Sequence, residues 1–437
     1  MTQILIRGEF RLGLKLKRYT VSFGLLLSVG LLASCGSSSS SASKASNSGS
    51  ATTGASSGKT IKIGYIDDFS GVLGHYGPLD YEGVQLAVDQ FNANGGLNGA
   101  KVQLVKADAK STQAVAVQDM RTMVYNQNIH LIINGLDSAE CGAMAPLAAQ
   151  TKTVLASWCG ADSFILKDGN PWTFRIANMG SQTQSYSAAT YAAQHYPNLK
   201  TWYLIANDYS FGRQAVAEFK QKLQQLEPGV KFVGESYVPL TATDYTPYIT
   251  AIIQKHPQAL FDAWANGIPF WKQSASYQLW KHMQILGGYW GGTDELPALT
   301  KSQVPVGAVV GGIPWYGIKS AANTTFVKEF QAKFGKPPAS ASYWGYITAK
   351  GVLAAISKAK SASPSKVKDA LSTLSMNTPV GKLTMDSWDN QGVAPYYLGV
   401  VGYDSQAHQG RVTKVTPVNT TAFMPTKSEV AKARGQG

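Results

Sequence analysis

The sequence predicts an α/β fold of two doubly wound lobes, each built on a parallel sheet. Three observations predict it. Short apolar runs alternate with stretches of helical period, the alternation restarts after Thr173–Arg175, and 437 residues are enough for two large lobes. Hydrophobic residues make up 44% of the chain and charged residues 15%, which supplies material for sizeable cores and excludes a disordered polypeptide.

The first lobe is predicted from strands and helices that follow one another regularly. Val84, Ala87, Val88 and Phe91 recur on one helical face, and Asn94-Gly95-Gly96 ends that helix. A strand–helix alternation of this kind requires right-handed crossovers, and therefore a parallel sheet. The expected strands are 61–66, 102–105, 131–134 and 154–157, and the expected helices are 82–94, 112–126 and 139–150.

The second lobe repeats the same plan. Its expected helices are 182–195, 211–226, 245–255 and 269–280, and its expected strands are 201–206, 231–233, 259–262 and 284–286. The remaining chain is predicted to contain strand 306–310, helices 323–334, 343–359 and 365–374, and strand-like segments 382–385, 396–401 and 411–418.

The first 58 residues are predicted to be a targeting signal followed by a flexible tether. A basic segment precedes the apolar run 21–32, which is too short to span a bilayer comfortably. Leu32-Ala33-Ser34-Cys35 then resembles a bacterial lipobox, so residues 1–34 are expected to be a lipoprotein signal peptide and Cys35 the lipidated start of the mature chain. The alternative is a plain secretory signal with an incidental cysteine. Residues 35–58 are rich in Ser and Gly and read as a flexible tether to the outer face of the membrane.

Charge and motifs argue against several classes of function. The net charge of +13 is dispersed and indicates a basic surface, and no groove-reading motif suggests nucleic-acid binding. The only G-x-S-x-G match, at 54–58, lies in the tether, and the six histidines lack metal-ligand spacing. The adjacent acids Asp67-Asp68 and Asp294-Glu295 point apart in a strand or turn. We therefore expect no enzyme activity, no cofactor and no metal.

The two remaining cysteines and the strand ends are candidate site features. Cys141 and Cys159 form an even pair in an oxidising compartment, which predicts a disulfide. Ligands of open parallel sheets bind beyond the carboxyl ends of the strands, where small, polar and aromatic residues stand in this chain. The candidate site residues at or after these strand ends are Tyr76, Asp137, Ser138, Ser157, Gly160, Ala161, Tyr209, Trp264 and Tyr289.

Several segments resemble the solute-binding proteins of ABC transporters, specifically the leucine/isoleucine/valine-binding family of periplasmic binding protein type I. They are IKIGYIDDFSGVLGHYG from residue 61, YEGVQLAVDQFNANGGLNGAKVQLV from residue 81, Asp208-Tyr209-Ser210-Phe211-Gly212 and the run 386–392. The resemblance covers about 59–418. It implies a three-stranded hinge with crossings near 176–181, 306–309 and 389–394. Lobe one would be 59–178 plus 309–390, and lobe two 179–308 plus 391–437.

The resemblance also implies a function. The protein would be an extracytoplasmic, monomeric receptor that captures a small molecule and delivers it to an ABC permease in the membrane. Ser138 matches a hydroxyl that holds a ligand carboxylate in this family, whereas Gly160-Ala161 stands where the family often has Ala-Thr. The family's acidic anchor for an ammonium should lie near Tyr289, where no carboxylate is found. Asp294 and Glu295 come later in the chain, and the sequence leaves open whether they reach the cleft.

These residues predict the type of ligand. Ser138 and backbone donors on lobe one, together with aromatic side chains and no acid on lobe two, favour a small carboxylate or amide with a flat or apolar body over free leucine or valine. Two alternatives remain. A sensor or regulator of the same fold would share the cleft, and a secreted α/β hydrolase would need a nucleophilic serine at a strand–helix elbow.

Overall fold

A computed structural model describes residues 60–177, 179–287 and 294–436 of the protein. The predicted signal peptide, Cys35, the predicted tether and Tyr289 lie outside these described residues. The strands are β1 Ile61–Asp67, β2 Val102–Asp108, β3 Leu131–Asn134, β4 Val154–Ser157, β5 Thr173–Arg175, β6 Thr201–Asn207, β7 Lys231–Val238, β8 Ala259–Ala263, β9 Gln284–Gly287, β10 Val309–Gly311, β11 Ser375–Thr378, β12 Gly381–Asp386, β13 Gln391–Val393, β14 Tyr396–Asp404 and β15 Gln409–Val418.

The helices lie between these strands and after them. They are α1 Gly77–Ala93, α2 Gln113–Arg121, α3 Ser138–Thr151, α4 Ser181–His195, α5 Ser210–Leu226, α6 Thr246–Gln254, α7 Ile268–Ser274, α8 Ala321–Phe334, α9 Ser340–Ala359, α10 Pro364–Leu371 and α11 Lys427–Ala433. Within the described ranges, no helix has the length and apolar character that crossing a membrane requires.

The strands form two sheets of the same plan. The first has eight strands in the order β11-β12-β13-β5-β4-β3-β1-β2, and the second has seven in the order β15-β14-β10-β9-β8-β6-β7. In both sheets the strands from the middle to one end are parallel, and the strands added at the other end are antiparallel. The predicted α/β architecture of two lobes is confirmed, with mixed rather than wholly parallel sheets.

Each sheet contains a topological switch point, a position at which the order of successive strands reverses direction. In the first sheet β1 lies between β2 and β3, so the chain leaves β1 in one direction and later adds β3 on the other side. In the second sheet β6 lies between β7 and β8 in the same way. Crevices open beyond the carboxyl ends of the strands at such points. The loops after β1, β3, β6 and β8 are therefore the natural walls of a site.

Most elements match the sequence prediction within a few residues, and the departures have local causes. Helix α1 begins at Gly77 rather than residue 82 because Pro78 suits the first turn of a helix. Helix α7 ends at Ser274, where two short 3₁₀ turns follow in place of the longer predicted helix. Three short elements were not predicted from the sequence: β11, β13 and α11.

The chain passes between the two sheets three times, and two of these passages differ from the expected lobe boundaries. Residues 309–311 pair with β9 and β14 in the second sheet, so the second passage follows Gly311 instead of preceding Val309. Residues 391–393 pair with β12 and β5 in the first sheet, so the third passage lies at 394–395. The carboxyl-terminal end also returns to the first lobe, because the Arg434 guanidinium donates to the carbonyls of Ile165 and Trp388.

A buried arginine ties the passages together. Arg175, fully buried at the end of β5, pairs with the Asp162 carboxylate and donates from Nε to the Gln391 side chain at 2.8 Å. Asp162 in turn accepts from the backbone N–H of Gln182 at 2.7 Å, at the start of α4. The first passage and the third therefore share one charge-assisted network, which fixes where the lobes meet.

Candidate functional site

The ends of β1, β3 and β4 lie side by side at one edge of the first sheet. Ile66 pairs with Asn134, and Asn134 pairs with Ser157, so the three strands finish at the same level. The loops that follow contain the residues singled out from the sequence on this lobe. Parallel pairing alone thus brings together loops that are about 70 and 90 positions apart in the chain.

Two serines join these loops to each other. The Ser138 hydroxyl accepts the backbone N–H of Ala161 at 2.9 Å. The Ser157 hydroxyl donates to the carbonyl of Gly135 at 2.9 Å and accepts the N–H of Cys159 at 3.0 Å. Ser157 is therefore occupied by the protein itself and orders the loops, and the Ala161 N–H is already bound within the protein.

The predicted disulfide is present. Cys141, in the first turns of α3, is bonded to Cys159, two residues after β4, with 6.6 Å between their Cα atoms. Both residues are fully buried. The bond fixes the start of α3 against the loop that carries Gly160 and Ala161.

Gly160 lies where the two lobes touch. A Cβ atom at this position would come within 2.6 Å of the Phe211 ring, which belongs to α5 of the second lobe. The Gly160 carbonyl also accepts the N–H of Ser181 at 2.7 Å. Glycine is required at this position because Phe211 fills the space of a side chain.

A second contact between the lobes joins Tyr76 and Glu295. The Tyr76 hydroxyl, in the loop after β1, donates to Glu295 Oε1 at 2.7 Å, and Glu295 lies between β9 and β10. The Gly267 N–H donates to the same oxygen at 3.1 Å. Both side chains are almost fully buried, and burial raises the pKa of Glu295 to about 7 and that of Tyr76 well above its usual value. The sequence left open whether this carboxyl group reaches the cleft, and the structure places it at the contact between the two lobes.

Tyr209 and Asp137 lie close to this contact. Tyr209 follows β6, and its ring packs 6.0 Å from that of Phe211. Burial raises the pKa of the Tyr209 hydroxyl well above its usual value, and the carboxyl group of Asp137 adds to this effect. The Asp137 carboxylate accepts the N–H of Ala139 at 2.7 Å and so caps α3, while its burial raises its pKa to about 6.

Trp264 is placed differently from the sequence expectation. It follows β8 but is fully buried in the core of the second lobe, where Phe270 lies 4.7 Å and Tyr245 5.8 Å from its ring. Its ring faces are used in packing, so it is not the exposed cleft ring that was expected. The strand-end position was right, but the side chain points into the core.

Sequence reasoning missed three buried acids beside the site. Asp68, after β1, and Glu140, in the first turn of α3, lie together with Asp137. Asp80 in α1 faces the indole N–H of Trp158, and burial raises its pKa well above the usual value. Their spacing in sequence carries no motif. The only signal was the position of two of them at strand and helix ends.

The arrangement offers acceptors more than donors. Asp137 and Glu295 are carboxyl groups. Among the described residues, no Lys or Arg contributes to the pKa shift of Glu295 or of Tyr209. The two donors best placed on the first lobe, the N–H groups of Ala139 and Ala161, are held by Asp137 and Ser138. Such a site suits a ligand that presents N–H groups.

Comparison with known proteins agrees with this geometry. The periplasmic binding protein family matches residues 60–407. The Leu/Ile/Val-binding protein homolog 7 of Brucella abortus is 25% identical over 348 residues, which cover 76% of this chain and 85% of that protein.

Solved structures share the fold. An amino acid ABC transporter substrate-binding protein from Pseudomonas fluorescens has a TM-score of 0.75 at 23% identity and covers 85% of this chain and 98% of its own. A Rhodopseudomonas palustris solute-binding protein in complex with 3,4-dihydroxybenzoic acid has a TM-score of 0.72 at 22% identity, covering 81% and 96%. With four-fifths of its residues matched by one family and both sheets in place, the chain belongs to the periplasmic binding protein family.

Proposed function

We propose that the protein is a lipid-anchored, extracytoplasmic solute-binding protein that captures a small amino-acid-like or amide ligand between its lobes and delivers it to an ABC permease. The observation that carries this proposal is the buried Glu295 carboxyl at the contact with Tyr76. Above its pKa of about 7, the carboxyl group of Glu295 is an ionised acceptor for an ammonium or amide N–H at the meeting point of the two lobes.

The same observation changes the expected ligand. The sequence argued against free amino acids because no acid was found where the second lobe should meet an ammonium, and Glu295 now supplies one. A simple aromatic carboxylate is disfavoured for the opposite reason. It would face Asp137 and Glu295, and two nearby backbone N–H groups, those of Ala139 and Ala161, are already bonded to Asp137 and Ser138.

Aromatic side chains support the apolar part of such a ligand. Tyr76 lies at the contact with Glu295, and the ring of Tyr209 lies 6.0 Å from that of Phe211, which packs against Gly160 of the first lobe. Aromatic contacts contribute roughly 0.5–1.5 kcal/mol beyond the area they bury, so they favour a flat or branched body without dictating it. The Brucella abortus relative, whose name refers to leucine, isoleucine and valine, is consistent with an amino-acid-like ligand.

Calorimetry on the purified protein tests the ligand class. The panel is leucine, valine, phenylalanine, benzamide, benzoate and phenylacetate at pH 7.5. We expect binding among the amino acids or the amide and none with the two acids. In Glu295→Gln the affinity should fall about ten- to a hundredfold, because a hydrogen bond to a charged group contributes roughly 1.5–3 kcal/mol. The exposed Glu329→Gln variant is the matched control and should bind as the parent does.

Two results would contradict the proposal. One is micromolar binding of benzoate or phenylacetate while the nitrogen-bearing ligands are silent, which would overturn the ligand class. The other is unchanged affinity in Glu295→Gln, which would remove Glu295 from the site. Turnover of an amide or ester by the purified protein would overturn the receptor function itself.

Lipid anchoring is proposed from the sequence at Cys35, outside the described residues. The apolar run 21–32 followed by Leu-Ala-Ser-Cys is the support for it. In cells, the full-length protein should fractionate with membranes, and Cys35→Ala should release it to the soluble fraction. If the variant stays membrane-bound to the same extent, the anchor is not at Cys35.

A further inference from the structure

Three buried acids lie together in the first lobe, and no ion pair to a Lys or Arg forms at any of them within the described residues. Asp68, Asp137 and Glu140 each offer one carboxylate oxygen, and these oxygens lie within 4.8 Å of one another. The three residues are 1%, 5% and 1% exposed. Their positions are set by two elements of the lobe: Asp68 directly follows β1, and Asp137 and Glu140 lie at the start of α3.

A second observation concerns hydrogen bonding. Oδ2 of Asp68 and Oε1 of Glu140 are buried, and neither has a hydrogen-bond donor among the described residues. The two carboxyl groups face each other, and the charges that act on Glu140 are those of Asp68, Asp137 and Asp67. Buried polar atoms are almost always paired, so two facing carboxylate oxygens share either a proton or a bound cation.

We propose that Asp68, Asp137 and Glu140 bind a hard divalent cation, Ca²⁺ or Mg²⁺, inside the first lobe. Calcium is coordinated by oxygen at 2.3–2.6 Å, so oxygens on opposite sides of an ion lie up to about 5 Å apart, which accommodates the observed spacing. Three carboxylates and no sulfur or imidazole select a hard ion over zinc or copper.

The ion would have a structural consequence. It would join the loop after β1 to the start of α3, and it would share Asp137 with the proposed ligand site. This inference goes beyond the proposed function, because it concerns a site within one lobe and its test uses no solute.

Thermal unfolding of the chelator-treated full chain tests the site. CaCl₂ or MgCl₂ is added at constant ionic strength, with NaCl as the salt control. At a hundredfold excess over Kd, a bound ion should raise Tm by about 3 °C for a protein of this size. Glu140→Gln should lose this rise, and Glu329→Gln should keep it.

A measurement on the unaltered protein guards against a variant that fails to fold. Tb³⁺ is excited through nearby tyrosines, and Tyr209 interacts with Asp137. Sensitised Tb³⁺ emission that Ca²⁺ displaces with a single Kd supports the site. The proposal is overturned if neither ion raises Tm above the salt control and no displaceable emission is seen, or if Glu140→Gln retains the full shift. In that case the facing carboxyls share a proton.

Discussion

At the scale of single residues, burial decides what the polar groups of the site do. Glu295 has the hydroxyl of Tyr76 and the N–H of Gly267 as donors, yet desolvation outweighs both and raises its pKa to about 7. An ionisable group poised near neutrality is typical of functional positions.

The raised pKa of Glu295 predicts a pH dependence of stability. Between the unfolded value of 4.5 and the folded value of about 7, the folded protein holds a proton that the unfolded chain has released. Stability therefore falls as pH rises through this window and is level above it. The shift corresponds to about 3 kcal/mol at about 1.4 kcal/mol for each pKa unit.

Urea unfolding of the parent and Glu295→Gln at pH 5, 6, 7 and 8 measures this contribution. As pH rises to 7, the unfolding free energy of the parent should fall relative to that of Glu295→Gln. Above pH 7 the difference between the two proteins should stay constant. Glu329→Gln should run parallel to the parent. Parallel curves for Glu295→Gln as well would show that Glu295 titrates alike in the folded and unfolded states.

At the scale of elements, close approach and cross-linking hold the framework behind the site. Helices α1 and α9 pack so closely that a Cβ at Gly83 would overlap the carbonyl oxygen of Ser342, and one at Gly345 would overlap that of Asp80. On the other face of the sheet, the disulfide joins α3 to the loop after β4.

The helix contact predicts opposite effects for two glycine substitutions. Gly83→Ala should lower the free energy of unfolding by about 1–3 kcal/mol, because the obstructing atom is backbone and the helices must separate. Gly142→Ala, on the open side of α3, should raise it by up to about 1 kcal/mol through helix propensity. Chemical denaturation of both variants decides this. A neutral Gly83→Ala would mean that the helices separate without loss.

The disulfide predicts a loss of stability on removal. It closes a loop of 18 positions, for which the chain-entropy estimate is roughly 3 kcal/mol. The free energy of unfolding of the double variant Cys141→Ala/Cys159→Ala, measured in urea, should be lower than that of the parent by that amount. A reductant should not lower it further. Two free thiols in the unreduced, denatured parent would contradict the bond.

At the scale of the whole molecule, a few side chains hold the lobes together. Asp294, which follows the second sheet's β9, accepts the backbone N–H groups of Ser340 at 2.6 Å and Ala341 at 3.1 Å. These groups start α9, which packs on the first sheet. Together with the Tyr76–Glu295 and Gly160–Phe211 contacts, this cap defines a closed arrangement of the lobes.

Removing the cap should favour lobe opening. Asp294→Ala loses an interaction of about 1–2 kcal/mol at a helix start, so the closed state should become about five- to thirtyfold less populated. Small-angle scattering without ligand should show a larger radius of gyration than in the parent, and added ligand should reverse the increase. Asp404→Asn, whose partner Arg411 lies in the same hairpin, is the control. An unchanged radius would show that the cap does not hold the lobes closed.

The sequence by itself determined the elements and the fold class. Strand and helix periods are local properties of the chain, so the α/β plan, the restart after β5 and the Cys141–Cys159 pair could be read directly from the sequence. The strand-end rule also predicted that the loops carrying Asp137, Ser138 and Gly160 lie at one edge of the first sheet, because the carboxyl ends of neighbouring parallel strands lie together; their role in ligand binding stays a prediction.

Tertiary structure alone decided which side chains meet. Tyr76 and Glu295 are 219 positions apart, and Asp68 lies about 70 positions before Asp137 and Glu140, so no local pattern links them. Trp264 is a second example. Its position after a strand was predictable from the sequence, but the orientation of its side chain depends on packing against Tyr245 and Phe270. Periodicity is set by neighbours in sequence, whereas burial, pKa and partnership are set by neighbours in space.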